Sequence, residues 1–119
     1  MQDFKKLKVW EKSHQLTLEI YKTTQNFPKT EQYGLVSQMR RSSASIPTNI
    51  AEGTGRDGQA ELARFLQISM GSASELEYQL ILSHHLGFVD TPTFEKLTHE
   101  TITVRKMLAS FIRKLKTNN

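Results

Sequence analysis

The chain has 119 residues, of which 37% are hydrophobic and 24% charged, and a formal net charge of +4. That length suits one domain and leaves little material for a second core. No apolar run approaches the roughly 20 residues that span a bilayer, and without cysteine neither disulfides nor thiolate metal sites are available.

Basic residues open the chain, yet no apolar stretch follows Met1-Gln2-Asp3-Phe4-Lys5-Lys6-Leu7-Lys8. No signal peptide is therefore expected, and a cytoplasmic protein is the simplest reading.

Four segments show the helical period. The first runs from about Leu7 to Asn26, with Trp10, His14, Thr17, Tyr21 and Thr24 on the expected core stripe and Val9, Leu16 and Ile20 flanking it. Trp10 is expected to anchor the core. Phe27-Pro28 ends the segment, because the residue before proline is pushed out of the α region.

The second segment runs from about Glu31 to Gly53. Thr30 is the expected N-cap, and Glu31 suits the positive end of the helix dipole. Leu35, Met39, Ile46 and Ile50 share a face, with Ser42 and Ser43 between them. Pro47 removes one backbone bond, to the Ser43 carbonyl, so one bent helix is expected.

The third segment follows the turn Gly53-Thr54-Gly55-Arg56-Asp57-Gly58 and reaches Leu86, with Asp57 as the expected cap. Its core stripe is Leu62, Leu66, Ser69, Ala73, Leu76, Leu80 and Ser83. Gly87 suits a left-handed helix end, with Phe88 folding back. The fourth segment opens at Thr91-Pro92, threonine capping and proline in the first turn. Phe94, Leu97, Thr101, Val104, Leu108, Phe111 and Leu115 then recur at spacings of three and four, and the tail Lys116-Thr117-Asn118-Asn119 is expected to fray. Four helices with short connections predict an all-α, antiparallel up-down-up-down bundle spanning residues 1–119 as one domain.

No catalytic constellation accompanies this pattern. Gly53-x-Gly55-x-x-Gly58 matches the dinucleotide fingerprint by letter, but a helix precedes it where that chemistry requires a strand. Arg56 beside exposed amides is a weaker phosphate candidate. His14, His84, His85 and His99 offer no His-x-x-x-His pair, so no metal site and no cofactor are expected. The serines lack the partners of a nucleophile and are read as small residues that let helices approach.

Gln38, Arg41, Ser45, Asn49, Glu52 and Arg56 form a polar stripe on the second segment. It faces either solvent or a partner, and Glu52 and Arg56 are spaced to pair. The third segment carries more apolar residues than one stripe buries, and Phe65, Ile68, Tyr78 and Leu82 are the candidate oligomer interface. After Glu100 the charges are all positive: Arg105, Lys106, Arg113, Lys114 and Lys116.

The run Gln38-x-x-Arg41, then Ser45-Ile46-Pro47-x-Asn49-Ile50-Ala51-Glu52-Gly53-x-Gly55-Arg56, resembles the 23S rRNA intervening-sequence proteins. These are bacterial four-helix bundles encoded within insertions in large-subunit ribosomal RNA genes and elsewhere in bacterial genomes. The accessory variability protein of diversity-generating retroelements belongs to the same group. Leu7-x-Val9-Trp10, Phe27-Pro28-x-x-Glu31 and Phe65-Leu66-x-Ile68-x-x-Gly71-Ser72-x-x-Glu75-Leu76 extend the likeness over nearly the whole chain. Ser42-Ser43 departs from it, where an alanine commonly follows the arginine.

The resemblance implies a homo-oligomer, in particular a ring-shaped homopentamer, and no enzymatic activity. Its retroelement branch implies nucleic acid and a reverse transcriptase as partners when the gene lies beside a retroelement.

The expected function is therefore a non-enzymatic oligomeric bundle that binds RNA or DNA electrostatically. Candidate contacts are Arg40, Arg41, Arg56, Arg105, Lys106, Arg113, Lys114 and Lys116, acting on phosphates. Asn49, Glu52, Gly53 and Arg56 are read as a structural motif at the turn. No exposed aromatic cluster accompanies the C-terminal basic residues, as base stacking on single strands would want. The alternative is a protein-protein scaffold with no nucleic-acid role. No membrane partner is expected.

Overall fold

The structure is a computed structural model that describes residues 3–117. Four α-helices account for most of it: α1 (Lys8–Thr24), α2 (Ser37–Thr54), α3 (Gln59–His85) and α4 (Thr91–Thr117). A 3-10 turn at Phe4–Lys6 precedes α1, and a 3-10 turn at Lys29–Glu31 followed by a π turn at Gln32–Val36 leads into α2. Among the described residues there is no strand. α1 packs on α2, α2 on α3, α3 on α4, and α4 returns to α1. The result is the antiparallel four-helix bundle that the spacing predicts, 46 × 22 × 20 Å in extent.

The core follows the sequence stripes closely in α2, α3 and α4. Leu35, Met39, Ile46 and Ile50 are buried, as are all seven stripe residues of α3. In α4 Leu97, Thr101, Val104, Leu108 and Leu115 are buried, whereas Phe94 and Phe111 are half-buried and Ile112 turns inward.

α1 is rotated from its expected register. Val9, Ser13, Leu16, Thr17, Ile20 and Thr24 face the core. Trp10 and His14 are half-buried at the edge and Tyr21 is exposed, so Trp10 is not a core anchor. The small Ser13, buried by its bond to the Trp10 carbonyl (2.8 Å), lets the stripe turn toward Leu16 and Ile20.

Pro47 does not interrupt α2. Its missing N–H orphans the Ser43 carbonyl, and the Thr17 hydroxyl of α1 lies 2.9 Å from that oxygen, buried between the helices. The same hydroxyl also reaches its own Ser13 carbonyl at 3.0 Å. An interhelical donor thus stands where the helix lost its own. The irregular backbone lies earlier, at Gly34 (φ −108°, ψ −108°).

The caps differ from expectation. Glu31, not Thr30, caps the second segment, its Oε1 accepting from the Leu35 N–H at 3.2 Å. α3 starts after Gly58, whose φ of 87° only glycine adopts cheaply, and Asp57 makes no cap bond because the turn ends one residue later. α4 is capped by Asp90, whose Oδ1 accepts from the Thr93 N–H at 2.9 Å. That shifts Thr91 and Pro92 into the first turn.

The end of α3 matches its prediction. Gly87 is left-handed (φ 80°), its N–H reaching His84 O at 3.0 Å and the Phe88 N–H reaching Ser83 O at 2.9 Å. This is the Schellman pattern, and Phe88 folds back against Phe27, their ring centroids 5.5 Å apart. Of the tail expected to fray, Lys116 and Thr117 are helical, and Asn118 and Asn119 lie outside the described residues.

Candidate nucleic-acid interface

Four antiparallel helices put both chain ends at the same end of the bundle. The N-terminal lysines and the C-terminal cations therefore meet. Lys8 and Lys114 border one shallow groove between α1 and α4, above Leu7, Val9, Met107 and Phe111. Dividing each helix at its middle, the half with residues 3–16, 46–72 and 105–117 holds eleven Lys and Arg against five Asp and Glu. The other half holds five against seven. The excess positive charge is thus confined to one end, a separation the total of +4 conceals.

The candidate cations fall into two groups. Lys106, Arg113, Lys114 and Lys116 on α4 and Arg41 on α2 are exposed. The other three are engaged in the fold. Arg40 is half-buried and ties α2 to α1: Nε donates to Thr24 Oγ1 (3.0 Å), Nη2 to the Tyr21 carbonyl (3.2 Å), and the guanidinium lies 4.7 Å from the Tyr21 ring centroid. Arg105 ties α4 to α3 through Glu77 at 3.2 Å. Both are better described as clamps between helices than as phosphate contacts. Arg56 pairs with Glu52 at 3.2 Å, both about half exposed, and lies 5.1 Å from the Phe65 ring centroid.

The turn motif separates in the same way. A Cβ on Gly53 would stand 2.8 Å from Phe65 Cβ and 3.1 Å from Leu62 Cδ1, so Gly53 is where α2 and α3 approach closely. Asn49 donates to the carbonyl (2.8 Å) and hydroxyl (2.9 Å) of Ser45, whose Oγ also accepts from Ser72 of α3 at 2.8 Å. The Glu52–Arg56 pair is solvent-screened and contributes on the order of 0.5 kcal/mol.

Of the candidate oligomer face, Phe65 is buried in the single chain, turned toward Gly53, and Leu82 is half-buried against the core. Ile68 and Tyr78 remain exposed at 41% and 60%, and Ile81 joins them at 36%.

The basic end also carries half-buried aromatic side chains of the N-terminal turn and α1. Phe4 meets Trp10 edge-on (5.1 Å), and Trp10 stacks on His14 (5.0 Å, 11° between planes). All three are half-buried. Trp10 and His14 wall a groove of about 670 Å³ between α1 and α2, with Ala44, Pro47 and Ala51 beneath and Thr48, Glu52 and Arg56 at its rim. Helical periodicity does not reveal this ladder, because Phe4 precedes the helix and the polar Ser13, Thr17 and Thr24 share the buried face of α1.

Among the described residues no group of three or more His, Asp or Glu side chains is placed to hold a metal ion, and no helix is long and apolar enough to cross a membrane. His84 stacks on Phe94 (4.3 Å, 7°), and its Nε2 lies 3.1 Å from Thr91 Oγ1, at the α3–α4 turn.

An all-α bundle of four antiparallel helices with a segregated basic end is the class of protein that the fold defines. Residues 5–110 match the model of the 23S rRNA-intervening sequence protein family, and the chain belongs to that family. It is also similar to a crystal structure of a protein of unknown function from the S23 ribosomal protein family of Bacteroides thetaiotaomicron. That likeness has a TM-score of 0.79 at 27% identity, covering 87% of this chain and 97% of the other. Among curated proteins none matches the chain.

Proposed function

We propose that this protein is a non-enzymatic, oligomeric bundle that binds nucleic acid in the cytoplasm through the positively charged end of its fold. The observation that carries the reading is the charge separation: eleven cations against five acids in one half. Exposed Lys114 borders a groove with Lys8 there, Arg113 and Lys116 are exposed on the same last turns of α4, and no ion pair at 4.0 Å or less engages them among the described residues. Lysine and arginine on phosphates supply affinity without reading base edges. A ring of subunits, as in the resemblance to pentameric relatives, would repeat the patch and multiply weak contacts.

Filter binding with unrelated RNA and DNA sequences at low salt tests the reading. Similar affinities for all of them are expected. No retention of any would overturn it.

One observation favours a second reading, a protein scaffold. Ile68, Tyr78 and Ile81 are apolar side chains left exposed on α3, and tyrosine is frequent at protein interfaces. The same residues serve self-association in the first reading. Loss of the oligomer on substituting it, with nucleic-acid affinity per subunit unchanged, is the expected result when the two roles are separate.

A further inference from the structure

The groove between α1 and α2 has a shape and lining that the charge argument does not use. Resting on the nucleic-acid reading above, we propose that this groove seats the bases of single-stranded nucleic acid against Trp10 and His14.

Nucleobases have flat π faces and polar edges. Trp10 and His14 present stacked, half-buried rings along one wall. Ala44, Pro47 and Ala51 supply a floor with no polar side chain. At the rim, Thr48 is exposed, and Glu52 and Arg56 are about half exposed and paired at 3.2 Å, with the Arg56 guanidinium over the Phe65 ring. A carboxylate accepts from exocyclic amino groups, and a guanidinium donates to ring and carbonyl acceptors or to phosphate. Base–aromatic stacking is tolerant of sequence, because every base has a π face. A duplex keeps those faces within its own stack and has nothing to place in the groove.

Charge decides between occupants. The Phe4–Lys6 turn packs against both α1 and α2, bringing exposed Lys5 and Lys6 to this end of the bundle. Glu52 is the one carboxylate lining the groove, and Arg56 neutralises it. A polyanion is attracted to such a rim, whereas a second copy of this basic chain is not.

Trp10 is the single tryptophan of the chain, so its emission reports on this groove alone. An oligouridylate of roughly 12 nucleotides, within the span of one small binding domain, is titrated into the full-length protein. A duplex of the same length is titrated separately. The single strand should quench the emission saturably and bind roughly tenfold tighter than the duplex, as one stacked base provides. Ala51→Leu fills the groove without altering charge and should remove the preference while leaving duplex affinity in place. Single strands that bind as well as duplexes without quenching would overturn the proposal and leave the electrostatic reading standing. Absence of binding to either would overturn both. Emission that responds to protein concentration but not to oligonucleotide would give the groove to a second copy, and would equally refute the proposal.

Discussion

Gly53 is the residue on which the α2–α3 contact turns. Alanine there would place its methyl 2.8 Å from Phe65 Cβ. The higher helix propensity of alanine favours the substitution by about 1 kcal/mol, and overpacking costs about 1–3 kcal/mol. With Phe65 Cβ and Leu62 both fixed in helix α3, the clash wins. Gly53→Ala should therefore lower the urea midpoint at unchanged m-value, and an equal or higher midpoint would contradict the close approach. Thr17 offers a second test. Thr17→Val keeps the shape but leaves the Ser43 carbonyl without the donor that Pro47 denied it. A buried acceptor left unpaired costs about 1–3 kcal/mol. A loss of that size, relieved in the Thr17→Val/Pro47→Ala double variant, is the expected cycle; purely additive effects would sever the link.

At the scale of the element, Asp90 sets the start of α4. Hydrogen bonds from the Thr93 side chain and backbone hold its carboxyl below the usual range. A depressed carboxyl contributes stability above its unfolded pKa and loses it as pH falls through the folded value. Asp90→Ala should lower the thermal midpoint near neutral pH, and the difference from the parent should vanish in strong acid. A difference that persists there would place the effect in packing instead. The outer face of α3 carries the next expectation. Ile68→Ser with Tyr78→Ser should disperse the oligomer in sedimentation equilibrium without lowering the stability of the subunit, since both side chains are exposed. A parent protein that sediments as a 13.7 kDa monomer would end the oligomer reading outright.

What the sequence disclosed at this scale follows from strength of pattern. α3 and α4 were legible because Leu62 to Ser83 and Leu97 to Leu115 repeat one spacing over many turns. α1 was not, because its apolar residues are few: with Ser13, Thr17 and Thr24 in the core, hydropathy alone could not separate the buried stripe from the Trp10–His14 edge. The caps failed for a related reason. Thr30 against Glu31, Asp57 against Gly58, and Thr91 against Asp90 are adjacent choices, settled by backbone angles rather than by residue type.

The interface was legible only in part. Lys114 and Lys116 are exposed as a charged helix end suggests, while Arg40 reaches Tyr21 and Thr24 and Arg105 reaches Glu77, contacts distant in sequence.

Across the whole molecule, the central claim is that one end of the bundle binds nucleic-acid phosphates. Each phosphate neutralised releases counterions, so log K falls with log salt by about 0.9 per contact on duplex DNA. The most direct measurement is the salt dependence of binding to one duplex, for the parent and for the variant with Arg113, Lys114 and Lys116 changed to alanine. A steep slope is expected for the parent and, per subunit engaged, a slope shallower by up to about 3 for the variant, at equal helicity. Parallel slopes, or no binding at low salt, would contradict it.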